Sequence, residues 1–281
     1  MRPTVACLGL RGSNLGVCLA QAGASCGVSC SQLSLDAPLQ GRPVTVGPGE
    51  VLWEGTDLLR VGAILVEAPL FPWPQPQVVE DLRFDPVEGE ARISPEREAR
   101  SLALSALWVA SQTRPVWNPP EAGHLAASLA VALDRLGAAG LPVHPWSLEP
   151  APEAGILESL VIDCAGPERW HQPSRPGPGE PAIVFDPIPS GIIDLLVVGG
   201  RTVGATADRT QEAPPEACDL ALRAAGALGL AIAQVSMVGD PRSLKILRVE
   251  AGPDLAAWNT RLDGRLAPLL IERLVAAADG A

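Results

Sequence analysis

The chain has 281 residues, 47% of them hydrophobic, so it can bury a sizeable core and is not disordered over most of its length. Its formal net charge is -11, which argues against a phosphate-backbone partner, and nucleic acid is not expected. Among the basic residues Lys245 is the one lysine, so any mechanism needing two lysines is excluded. No apolar run reaches 18 residues and no signal-peptide pattern opens the chain, so a cytoplasmic protein without a membrane span is expected. The six cysteines are then expected to be reduced and mostly buried. Cys26 and Cys30, with three residues between them, make a weak metal signal, and no metal site is expected.

Residues 4–10 (TVACLGL) read as a buried strand, and residues 13–23 as a helix capped by Ser13 or Asn14 and ended by Gly23. That order predicts a βαβ beginning. Gly9, Gly12 and Gly16 follow a G-x2-G-x3-G spacing, which is not the dinucleotide fingerprint, and Asp36 is only a loose candidate for a ribose acid. Residues 61–66 read as a second buried strand.

The Pro69–Pro76 stretch cannot be helix or central strand, because four prolines interrupt it. Leu70, Phe71 and Trp73 there either fold back onto their own domain or dock a protein partner or second copy. A helix is predicted over 94–112, with Pro95 in its first turn, and another from Asn118 to about Leu136. The stretch 148–187 contains ESLVIDCAG, read as a strand, and then a Pro- and Gly-rich run, so Trp170–Pro181 is expected to be the most mobile part. Residues 192–198, Gly199-Gly200 and 201–206 form a hairpin signal. A helix over 214–229, strands at 231–238 and 244–250, and a helix over 262–278 complete the chain. His124, His144 and His171 lack ligand spacing, Ser190-Gly191 lacks a nucleophile elbow's first glycine, and Glu149, Glu153 and Glu158 read as solvated. The seven tryptophans read as core or loop anchors.

Several of these pieces, taken in order, carry a resemblance. They are Leu195-Leu-Val-Val-Gly-Gly200, Ala221-Leu-Arg-Ala-Ala-Gly-Ala-Leu-Gly-Leu230, and Leu247-Arg-Val-Glu-Ala-Gly-Pro253 followed by Trp258. Upstream stand Pro115-Val-Trp-Asn-Pro-Pro-Glu121 and Ala139-Gly-Leu-Pro-Val143. The chain resembles the ATP-grasp ligases, especially those similar to the ribosomal-protein glutamate ligase. The resemblance implies an α/β protein with a Rossmann-like pre-ATP-grasp domain over 1–90 and a helical linker region over 91–147. A reduced central subdomain over 148–187 and a C-terminal ATP-grasp-like subdomain over 188–281 would follow.

The family's chemistry joins a carboxylate to an amine through an acyl-phosphate, with magnesium ions holding the triphosphate. Its motif residues do not carry over intact. The magnesium-binding Asp falls on Ser236, and the acid-x-Asn pair on Arg248 and Glu250. The substrate-binding Arg falls on Asp194. No lysine stands at the phosphate positions, since Lys245 lies in another hairpin, and the Gly-rich phosphate loop expected within 160–180 is not recognisable.

Arg248 puts a fixed positive charge where a dication would sit. It either pairs with Glu250 and fills the site, or binds an anion itself. Asp194, Ser236, Arg248 and Glu250 are therefore degenerate family positions, with no catalytic residue assigned. The resemblance so read points to a non-catalytic homologue acting as a binding or assembly partner, with no cofactor. One alternative is an active carboxylate–amine ligase, adding an amino acid such as glutamate to a cofactor or peptide, using ATP and magnesium. Another is a small-ligand-binding protein without turnover.

Overall fold

The structure, a computed structural model, describes residues 4–9, 14–35, 37–67, 95–150, 161–163, 181–188, 192–205 and 213–280. The expectations for Gly12, Asp36, the Pro69–Pro76 stretch, Trp170–Pro181 up to residue 180, His171 and Ser190-Gly191 lie outside these residues, and so do those for Glu153 and Glu158. The chain divides into two units, residues 1–120 with 254–281, and residues 121–253.

In the first unit, β1 (Thr4–Gly9) leads into α1 (Asn14–Ser25) and the parallel strand β2 (Ser29–Ser34). An antiparallel meander follows, β3 (Val44–Gly47), β4 (Glu50–Trp53) and β5 (Thr56–Asp57). The chain then returns as β6 (Ala63–Val66), forms α2 (Pro95–Ser111) and adds β7 (Val116–Trp117). The parallel sheet has the order β2-β1-β6-β7. Its central strands are apolar without alternation, because both faces are covered. Ala6, Leu8, Ile64 and Val66 pack with Trp53 of the meander and with Ala103, Ala106 and Leu107 of α2.

In the second unit, one long helix is expected from Asn118 onward, but there are two, α3 (Pro120–Ala127) and α4 (Leu129–Ala138). The break is Ser128, whose φ of -103° and ψ of 113° are extended backbone. A small antiparallel sheet in the order β8-β10-β9 joins β8 (Trp146–Pro150), β9 (Val161–Asp163) and β10 (Pro181–Phe185). The hairpin of β11 (Ile193–Val198) and β12 (Arg201–Ala205) turns at Gly199 and Gly200, with φ of 52° and 75°, as the sequence requires. After α5 (Pro215–Ala227), strands β13 (Ile232–Val238) and β14 (Lys245–Glu250) complete an antiparallel sheet in the order β12-β11-β13-β14. One face of this sheet, through Leu195, Val197, Ala233, Val235 and Val249, packs on Ala217, Leu220, Ala221 and Ala224 of α5.

The chain then rejoins the first unit. Two helices replace the single one expected over 262–278: α6 (Leu255–Arg261) and α7 (Leu266–Asp279). Asp254 starts α6 by accepting a bond from the Ala257 N–H at 2.8 Å. Leu262 to Arg265 turn the chain, with Asp263 at φ 52°. The helix α7 packs on β1, β6 and α1, which places residues 254–281 with the N-terminal unit. Among the described cysteines only Cys7 is buried, and Cys26 is exposed in the turn after α1, so the expectation of mostly buried cysteines is corrected. Trp108, read as an anchor, is 53% exposed on α2. No described helix is long and apolar enough to cross a membrane.

Candidate functional site

The four candidate positions named from the sequence come together. Strand register sets Asp194 on β11 beside Ser236 on β13, and Ser236 beside Arg248 on β14. Glu250 lies two residues further along β14, opposite Gln234. Because side chains alternate along a strand, all of these share one face of the sheet. Val238 is on that face too, and it packs against Ile183 and Phe185 of β10. A bulge helps shape it. The pairing passes from Ser236↔Arg248 to Met237↔Ile246, so Leu247 is the extra residue, and it joins Val238 in the same cluster. The polar group thus borders an apolar cluster joining the two sheets of the second unit.

The polar groups satisfy one another. The Ser236 hydroxyl donates to Asp194 Oδ1 at 2.5 Å. Arg248 forms an ion pair with Glu250, the side chains being 27% and 14% exposed. Burial pulls the Arg248 guanidinium below its ordinary value, while the negative charge of Asp194 pushes it back up. Two carboxylates and one guanidinium leave the site with a single negative charge.

These residues do not fit a magnesium ion. Magnesium asks for near-octahedral oxygen ligands. Here one carboxylate is taken by an arginine and the other accepts a hydroxyl proton. A guanidinium about 4 Å away would also offset the attraction that one of the two carboxylates offers a dication. No group of three or more His, Cys, Asp or Glu able to hold a metal occurs among the described residues, Cys26 and Cys30 included.

A second feature lies in the first unit. A crevice of about 550 Å³ opens at the carboxyl ends of β1, β2 and β6, where ligands settle in open α/β sheets. Its polar lining includes Gln32, Ser34, Arg42, Glu54 and Glu67. Glu54 pairs with Arg42 and accepts the Ser34 backbone N–H at 2.6 Å, while Gln32 donates to the Gly16 carbonyl at 2.6 Å. A Cβ on Gly9 at the end of β1 would meet only the carboxylate end of the Glu67 side chain, which would have to swing aside. The glycines are visible in the sequence, but the charged rim is not, because it comes from the meander and the ends of β2 and β6. The other unforeseen feature is a thiol pair, with Cys7 Sγ and Cys30 Sγ 3.4 Å apart across β1 and β2.

Comparison with known proteins decides the architecture. No protein-family model and no curated protein sequence matches the chain. Solved structures do. The ATP-grasp ligase PsnB, complexed with a phosphomimetic variant of its minimal precursor, Mg and ADP, superposes with a TM-score of 0.74 at 16% identity, covering 99% of both chains. The chain has the ATP-grasp fold. The macrocyclase MdnC of Microcystis aeruginosa, bound with the precursor peptide MdnA, matches with a TM-score of 0.67 at 13% identity, over 97% of this chain and 99% of that one. A RimK-domain ATP-grasp protein of Sphaerobacter thermophilus gives 0.58 at 16% identity, over 97% and 99%. The α/β class and the ATP-grasp fold expected from the sequence therefore hold.

Proposed function

We propose that this chain is a non-catalytic ATP-grasp homologue whose work is binding, with a peptide as its ligand class. The observation that carries the reading is the Arg248–Glu250 ion pair, which occupies the face where the family's acidic ligands are expected. The hydroxyl of Ser236, at the expected Asp position, adds no charge for a metal and is turned to Asp194. The peptide part is supported by PsnB and MdnC, both solved with precursor peptides.

A second reading, an active ATP-dependent carboxylate–amine ligase, is favoured by the neighbours themselves, which are ligases solved with ADP and Mg or with AMPPNP. In that reading arginines would take over phosphate contacts from lysines, because Lys245 is the one lysine in the chain.

ADP release by the full-length protein separates the two. Purified protein with magnesium-ATP, a precursor peptide of the kind bound by those neighbours, and the common amino acids is expected to release ADP no faster than the buffer control. Magnesium-dependent release on the order of 1 per second, lost in Glu250→Gln, establishes the ligase instead. Anisotropy of the same peptide, labelled, is expected to report equal affinity in magnesium and in EDTA.

A further inference from the structure

We propose that Cys7 and Cys30 form a reactive thiol pair in which Cys30 is the nucleophile, Cys7 is its hydrogen-bond donor, and a small hydroperoxide is the co-substrate. The two sulfurs stand 3.4 Å apart on neighbouring parallel strands. Their surroundings divide the roles. Cys7 is buried and lines the crevice that also holds Glu67. The hydrogen bond to Cys30, burial and the negative charge of Glu67 all push the Cys7 thiol up, so it keeps its proton. Cys30 is only half-buried, and accepting that bond pulls it down against the opposing effect of burial. The helix packed beside it brings no charge: α1 (NLGVCLAQAGAS) has Cys18 as its one titratable side chain, and β2 (SCSQLS) adds nothing besides Cys30. The thiolate is thus stabilised by a neighbouring S–H and not by a cation, and a thiolate is the form that attacks.

The register also says where the chemistry stops. Val5 is opposite Cys30 and Cys7 is opposite Gln32, so the two cysteines are offset by two residues. Strand spacing and rise then put their Cα atoms about 8 Å apart. Disulfides span roughly 4.4–6.8 Å between Cα atoms, so closing one would require the strands to shift. In the proposed step the Cys30 thiolate attacks one peroxide oxygen. An S–O bond forms, the O–O bond breaks, and the departing alkoxide or hydroxide takes a proton from water. Sulfur is oxidised to a sulfenic acid and the peroxide is reduced to an alcohol or water. Because Cys7 is held short of bonding distance, the sulfenic acid persists until an external thiol reduces it.

The test uses reduced full-length protein, dilute hydrogen peroxide, and dimedone to trap sulfenic acid, with each site read by peptide mass spectrometry. Adduct at Cys30 is expected to form several-fold faster than at Cys18, Cys26 or Cys218, with the midpoint of its pH–rate profile below theirs. Cys7→Ala, checked for folding by circular dichroism, is expected to raise that midpoint and slow Cys30 by about threefold or more at neutral pH. Cys7→Ser, which keeps a donor, should recover part of the rate. Equal labelling of Cys30 and Cys26, an unchanged profile in Cys7→Ala, or a Cys7–Cys30 disulfide as the main product would overturn the proposal.

Discussion

Replacing Arg248 by alanine is expected to lower the stability of the fold by about 3 kcal/mol. The substitution removes the cation that Glu250 is paired with and leaves the Asp194 carboxylate on the same face without its positive neighbour. Glu250 is only 14% exposed, so water replaces the lost partner poorly. The comparison variant is the double substitution Arg248→Met with Glu250→Leu. Removing both charges for apolar groups of similar size should return stability to within about 1 kcal/mol of the parent, because the desolvation cost of the pair disappears with it. Urea denaturation with an unchanged slope reads both. If Arg248→Ala unfolds at the parent's midpoint, the pair is solvated and does not fill the site.

The second large effect is a gain. Ser236→Asp, Arg248→Glu and Glu250→Asn together restore the pattern that the family resemblance assigns to these positions. The face would then carry three carboxylates, counting Asp194, and an amide oxygen in place of a guanidinium. In EDTA this variant is expected to be less stable than the parent, since like charges face one another with no partner. Magnesium should reverse that loss. At about 100 times its dissociation constant a bound ion contributes about 2.7 kcal/mol. Sodium chloride at equal ionic strength is the control, since it screens charge without filling a site. A melting temperature that responds to magnesium no more in the variant than in the parent would show that the face is not shaped for a metal even with acidic ligands.

How far the sequence carried this account varies by element. The four residues could be named because the resemblance placed each of them on a strand, and strand alternation then puts them on one face. Gly199-Gly200 fixes only the turn between β11 and β12, whereas Asp194 is set beside Ser236 by the pairing of β11 with β13, 42 residues along the chain. The sequence offered pairing with Glu250 and anion binding as two uses of Arg248, and the structure shows the pairing. The bond from Ser236 to Asp194 was not foreseen, because it depends on side-chain direction across two strands. The meander of β3, β4 and β5 was missed for a different reason. Its strands are two to four residues long and alternate only briefly, so periodicity has little to act on. The helix α6 was missed because its start signal is a single capping residue, Asp254, directly after Pro253. The thiol pair joins residues 23 positions apart, and nothing local marks their strands as neighbours.

The central claim is that the ATP-grasp face of β11, β13 and β14 is closed to a divalent cation by its own ion pair. Titration of the full-length protein with manganese(II), read by electron paramagnetic resonance of the free ion, tests it most directly, since manganese accepts the same oxygen ligands as magnesium. The account predicts that the free-ion signal is undiminished by the protein. A stoichiometric loss of signal that Glu250→Gln abolishes would contradict it.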